Sequence, residues 1–458
     1  MQQENCQPGD PSWGDFASVL DPTAVSGYGS AISVNRGGSL DLSVTTSASS
    51  VTIDVYRMGW YGGAGGRHVA SLGTFGGVNQ PQAGPDPQLG TVVEHWTKTT
   101  TLQVPTSWIS GVYLAKLTSS AGNSSFIFFV VRDDGGHQTY LFKTSVNTYQ
   151  AYNTYGGTSL YNNNTNKQVY AGPHAMKVSF DRPFNPGDSN GAGHFLWWEY
   201  PMLRWLERNG YDVAYTTDVD LDLNPSPLTG HKAVLSVGHD EYWSMGERTN
   251  LTTAIGAGVN AAFFSGNVMY WQVRYEPGPT GAPDRLLVGY KDYAYCPGFP
   301  CPPGPDPMVG VNNAVVTGLW RDPPVNMPEN AVTGEMFGGE TNNADLVVQN
   351  ASSWVYAGTG FVNGQHVPGI VGYEYDHAGT NGLTPAGLTV LAHENVTNTE
   401  NGQPDTADSS VYAAPGGGRV FDAATIQWSY GLDSYGGTTF VNPGIQRATA
   451  NVLAAFGS

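Results

Sequence analysis

Two short apolar runs, each halted by a glycine and followed at once by polar and phenolic side chains, constrain this chain more than any other feature. Residues 232–237 lead into Gly238, His239, Asp240, Glu241 and Tyr242, and residues 259–264 lead into Ser265, Gly266 and Asn267. The runs are rich in Val, Ala, Leu and Phe without strict alternation, the pattern of parallel strands covered on both faces. In an open α/β sheet, ligands occupy the crevice beyond the carboxyl ends of the strands, so two neighbouring strands would bring these clusters together.

Around that centre the chain reads in two parts. Residues 1–135 carry no long helical period, and VTIDVY, YLAKLT and FIFFVV are strand-like segments separated by turn residues. An immunoglobulin-like β-sandwich is expected there. The glycine-rich RMGWYGGAGGR stretch lacks the Lys-Ser or Lys-Thr of a phosphate loop. It reads instead as a tight hairpin whose Trp60 and Tyr61 pack on a neighbouring domain. RDDGG at 132–136 marks the boundary, and residues 136–458 alternate strands and helices as a doubly wound layer does. A helix is predicted from Pro201, with an apolar face of Met202, Leu203, Trp205 and Leu206 and a stop at Asn209-Gly210. That places Tyr200 at a helix amino terminus, where the dipole would ease ionisation of its phenol. The closing VNPGIQRATANVLAAF segment is expected to be a helix that covers the sheet.

Composition narrows the functional classes. The charged fraction is 13% against roughly 25% in ordinary proteins, and the net charge is −18. No basic stripe is available for nucleic acid, and no apolar run approaches the roughly 20 residues of a membrane span. The neutral, glycine-rich composition and five Asn-X-Ser/Thr sequons fit a secreted protein whose signal peptide has been removed. Cys296 and Cys301 are expected to close a small disulfide loop, leaving Cys6 over. Self-association as a homo-oligomer is compatible with the chain.

HDEYW gathers an imidazole, two carboxylates and a phenol in four consecutive positions. There is no nucleophile elbow, no cysteine after a strand and no HExxH pair. Acid/base work, or a hard metal held by oxygen donors, is what remains. The tyrosines at 149, 152, 155, 161 and 170 form either an aromatic wall for a substrate or a structural loop.

Taken in order, LRWLERNGYDVAYTTDVDL, VLSVGHDEYWS, FFSGNVMYW and GYEYD resemble the large (beta) subunit of N,N-dimethylformamidase and its wider family, from about Val55 to about Leu432. The resemblance implies a β-sandwich joined to a glutamine-amidotransferase-like α/β domain, hydrolysis of amide C–N bonds, and a mononuclear Fe(III) site held by two tyrosinates and a glutamate. Carried onto this chain, the tyrosines are Tyr242 and Tyr200, and the carboxylate is Glu276, with Glu329 as the alternative. Glu374 would take a proton from the attacking water, and Asn267 or His239 would meet the developing oxyanion. Plainer roles exist: Tyr200 could cap its helix, Glu276 could pair with Arg274 or Arg285, and Glu374 could sit in a loop ion pair. Two other classes also stay open. One is a non-catalytic extracellular binding or assembly protein; the other is a metal-free hydrolase of polysaccharide using Glu241 and Glu374.

Overall fold

The computed structural model describes residues 1–14, 24–161, 174–185, 191–294 and 304–458 of the 458-residue chain. Tyr170, the sequon at Asn163, and Cys296 and Cys301 with their expected disulfide lie outside them. The chain is mixed α/β, with many sheets and few helices, and its N-terminal region is rich in strands.

In that region a three-stranded sheet of Val25–Gly29, Ser39–Thr46 and Thr100–Gln103 faces a five-stranded sheet. The larger sheet runs Ser33–Asn35, Ser124–Arg132, Gly111–Ser119, Ser50–Met58, Gly66–Gly76. Val51, Ile53, Val55, Tyr113, Ala115 and Leu117 share one core with Leu40, Leu42 and Val44 of the smaller sheet. Their neighbours Tyr56, Met58, Val112, Leu114, Phe126 and Phe128 turn the other way, into the core of the α/β part. Burial on both faces is why FIFFVV is continuously apolar rather than alternating.

The second part is built on a seven-stranded sheet. Its order is Val213–Thr217, Tyr140–Thr144, Ala233–His239, Asn260–Gly266, Arg419–Asp422, Pro404–Ala413, Thr389–Thr397. The first five strands are parallel, Pro404–Ala413 runs antiparallel to them, and Thr389–Thr397 pairs antiparallel with Pro404–Ala413. Numbered along the chain, the parallel strands follow 2-1-3-4-5, a doubly wound order whose switch point lies between Tyr140–Thr144 and Ala233–His239. Helix Met245–Gly256 covers one face through Leu251, Ala254 and Ile255 against Ala261 and Phe263. Helix Pro443–Phe456 covers the other through Ile445, Ala448 and Val452 beside Ala262 and Phe264. Asn442 caps the latter, accepting from the Gly444 and Ile445 amides, with Pro443 at the first helical position. The helix expected from Pro201 spans Tyr200–Arg208, and Gly210 (φ +74°) supplies the left-handed stop. Among the described residues no helix is long and apolar enough to cross a membrane.

The glycine-rich stretch is the hairpin turn between Ser50–Met58 and Gly66–Gly76, and Trp60 lies under the guanidinium groups of Arg204 and Arg208, each 4.8 Å from the ring centre. Behind it a buried clamp joins the two parts of the chain. Arg57 donates to both oxygens of Glu207, at 2.7 and 2.9 Å, and Tyr215 donates to the same carboxylate at 2.9 Å. Both charges are fully enclosed, so removing either leaves the other unpaired in a low dielectric. Glu207→Gln is therefore expected to lower the free energy of unfolding by roughly 3–5 kcal/mol in urea titrations, with Arg57→Met similarly damaging.

Candidate active site

The carboxyl ends of the central strands deliver the cluster that their sequence foretold. His239 closes the Ala233–His239 strand, Glu241 and Tyr242 follow it, and Asn267 follows Asn260–Gly266. Asn267 holds a left-handed backbone (φ +51°), and its amide N–H donates to Asp376 at 2.8 Å. Strand His366–Ala378 runs past them with Glu374 turned inward. The His239 Nε2 lies 2.9 Å from Glu374 and 3.2 Å from Glu241, and Asn267 Nδ2 donates to Glu374 at 3.0 Å. Tyr373 places its hydroxyl 3.4 Å from the other ring nitrogen. All four residues, His239, Glu241, Asn267 and Glu374, are buried.

Glu241 is the point where the chain converges. Tyr152 donates to Oε2 at 2.9 Å, and Tyr161 approaches both oxygens at 2.8 and 3.0 Å. The two phenol rings stack with centroids 4.2 Å apart, and the Tyr242 hydroxyl donates to that of Tyr161 at 2.6 Å. Lys291 sets its ammonium 3.3 Å over the Tyr161 ring, a cation–π contact inside the protein. The Glu241 amide is itself fixed by Thr148 Oγ1 at 3.1 Å.

Burial and charge act against each other here. Burial opposes ionisation of Glu241, but the His239 ring, Lys291 and the Tyr161 hydroxyl outweigh it and hold the carboxyl below its ordinary value. Burial likewise works against a charged His239, yet Glu374 and Glu241 push the imidazole up to about 10. Lys291 falls to about 8 because burial dominates its neighbours' attraction. Burial first, then Glu241, pushes the phenols of Tyr152 and Tyr161 well above their usual range.

Two of the residues expected to bind metal are elsewhere. Tyr200 is buried against Trp13, Tyr435 and Phe195, and its hydroxyl donates to the Gly65 carbonyl. Its phenol is pushed well up, not eased, because desolvation outweighs the pull of Arg204. Glu276 is part-exposed and forms ion pairs with Lys177 and Arg274. Glu329, the alternative, is buried with Arg321. Tyr242 does reach the site, as the partner of Tyr161 rather than of Tyr200. Asn267 and His239 both engage Glu374, so in this arrangement they fix that carboxylate. The pair of phenols that does converge on a carboxylate, Tyr152 and Tyr161 on Glu241, comes from the tyrosine-rich stretch that had been read only as an aromatic wall.

That set can be tested as a metal site. The described residues include no group of three or more His, Cys, Asp or Glu side chains able to hold a metal ion, so phenolic donors would have to take part. Two phenol oxygens within 3.0 Å of one carboxylate form a hard, all-oxygen donor set, which suits a ferric ion.

The fold and site together define an α/β protein with a buried carboxylate, imidazole and phenol cluster at the switch point of a parallel sheet. A family profile described as N,N-dimethylformamidase beta subunit-like, C-terminal, matches residues 52–442, and the chain belongs to that family. No curated protein matches the sequence. Among solved structures, a Paenibacillus sp. cycloisomaltooligosaccharide glucanotransferase, crystallised with cycloisomaltoheptaose, aligns at 9% identity and a TM-score of 0.18, over 79% of this chain and 66% of that one. The chain thus spans just under two thirds of that enzyme's length, and the likeness is too slight to carry an argument.

Beside the cluster, Glu199 accepts from Tyr149 Oη and from the Ser145 amide at 3.1 Å, and burial pushes its carboxyl up to about 8. The folded state then holds this proton more tightly than the unfolded chain, whose carboxyl titrates near 4.5. Stability should fall as pH rises between those values. In urea melts at pH 5 and pH 8, Glu199→Gln should narrow the difference between the two midpoints.

Proposed function

We propose that this protein hydrolyses amide C–N bonds at the Glu241 cluster, with a mononuclear ferric ion held by Tyr152, Tyr161 and Glu241. The observation that carries the reading is the convergence of two phenol oxygens on one buried carboxylate, beside a second carboxylate held by an imidazole and an amide. When bound, the ion supplies Lewis acidity toward the amide carbonyl oxygen. Tyr242, donating to Tyr161, and Lys291, stacked on its ring, hold that phenol in place. Glu374 takes one proton from the attacking water and returns it to the departing amine, which leaves as the C–N bond breaks. His239 and Asn267 hold the carboxylate in place for both transfers. In this reading the strand-rich N-terminal region is an immunoglobulin-like sandwich and residues 136–458 are an amidotransferase-like domain, in an exported protein.

In the metal-free polysaccharide reading Glu241 could not serve as the acid. A glycosidase pair needs one carboxyl that is protonated and free to reach a glycosidic oxygen. Glu241 is kept ionised, and both of its oxygens receive phenol hydroxyls.

Protein purified after iron-replete expression should contain stoichiometric iron and a visible phenolate-to-metal band. Tyr152→Phe and Tyr161→Phe should lose both. Glu374→Gln should keep the iron and lower kcat toward formamide or N,N-dimethylformamide by about 10²–10⁴-fold. Iron-free protein, or a Tyr161→Phe variant with its band intact, would end this assignment.

A further inference from the structure

Arg182 is a charged residue of the interior that lies outside the site and forms no salt bridge among the described residues. It is 1% exposed. Its NH1 donates to the carbonyls of Tyr155 and Thr158, at 2.8 and 2.9 Å. Its NH2 donates to the Asn153 carbonyl at 3.0 Å and to Gln150 Oε1 at 3.2 Å, and its Nε donates to the same Gln150 oxygen at 3.3 Å. The whole planar fork is spent on one short stretch of chain. Burial, only partly countered by Glu94, lowers the guanidinium to about 9, a cost that fixed hydrogen bonds must offset.

The stretch it fills is the loop that separates the two phenols. Its neck is closed by the Leu160 amide donating to the Ala151 carbonyl at 2.9 Å, and those two residues directly precede Tyr161 and Tyr152. Gly156 and Gly157 turn the loop back with φ of +79° and +92°. Asn153 completes the packing, donating to Gln150 Oε1 and to the Pro183 carbonyl at 2.8 and 3.0 Å. With the neck closed and the inside occupied by the guanidinium, the rings of Tyr152 and Tyr161 are left little choice but to stack above Glu241.

We propose that Arg182 is the positioning residue of the site: by binding four residues of the 150–158 loop at once, it sets the spacing and the angle of the two phenols. The proposal rests on the assignment of Tyr152 and Tyr161 as the site's donors. Arg182 itself touches neither Glu241, His239 nor Glu374, so its effect must travel through the loop. Lysine cannot replace it, since a single ammonium with three donors cannot span these four acceptors in a plane.

The test uses the full-length, metal-free protein carrying 3-fluorotyrosine at position 161 and reads its fluorine resonance. Arg182→Lys should displace or broaden that resonance, and Arg182→Gly should recover the wild-type signal on addition of guanidinium ion. Arg132→Gln, which weakens ion pairs with Asp134 and Asp220 and removes no hydrogen bond to the loop, should leave it in place. A resonance unchanged in Arg182→Lys, or moved equally by Arg132→Gln, overturns the proposal. A second arm measures iron retention, for which Arg182→Lys should weaken binding by about tenfold, as loss of an outer-shell partner commonly does. Wild-type protein that never retains iron speaks against the metal assignment alone, because the fluorine arm still decides the role of Arg182.

Discussion

One buried ammonium organises the end of the sheet on which everything else is built. Lys143 lies within 2.7 Å of Asp240 and 2.9 Å of Glu247 and also pairs with Asp218, and all four side chains are enclosed. Lys143 belongs to the first parallel strand, Asp218 follows the second and Asp240 the third, while Glu247 stands in the first turn of the helix beyond. A single charge therefore ties three neighbouring strand ends together. Three carboxylates around one cation cannot all stay ionised away from water, and burial pushes Asp218 to about 7 and Glu247 well up. Held protons make the network nearly neutral without loosening it. Ser236 adds a hydrogen bond to Asp240 at 2.6 Å, so the residue immediately before Glu241 has almost no freedom.

Glu241 inherits that rigidity. Its backbone is pinned by Asp240 on one side and Thr148 on the other, and its oxygens face two phenols and an imidazole. The donors come from the loop after the first strand, the bend after the third, the turn after the fourth and the long strand 366–378. No two of these segments are adjacent in sequence, yet each stands at the carboxyl edge of the sheet. Parallel strands make this possible because every crossover returns the chain to the same edge. Carboxylate and phenol would repel water poorly if left exposed. Enclosed together, they strengthen every interaction between them.

Several parts of this arrangement were legible in the residues. The glycine stops at 238 and 266 marked two strand ends, and HDEYW, SGN and GYEYD supplied His239, Glu241, Asn267 and Glu374, which do meet. The hairpin reading of 57–67 and the helix at Tyr200–Arg208 followed from glycine, proline and apolar spacing. The choice of phenols did not. Tyr200 sits close in sequence to the strand ends, but its helix faces the N-terminal sheets, and its hydroxyl goes to Gly65. Glu276 lies beyond Asn267 on a strand that leads out to solvent. Tyr152 and Tyr161 stand roughly eighty residues or more before Glu241, and density of tyrosine alone could not say which of them point inward.

Local sequence determined the elements of this protein and the chemical types that end them, because strand, cap and turn preferences act over a few residues. It also determined, through the order of its motifs, which family the chain belongs to. Only the tertiary structure decided the pairing of donors: which phenols reach Glu241, which carboxyl His239 holds, and that Arg182 and Lys143 are buried. Those outcomes depend on strand order and on the direction in which each side chain leaves its strand or loop, and both are fixed by packing across the whole domain.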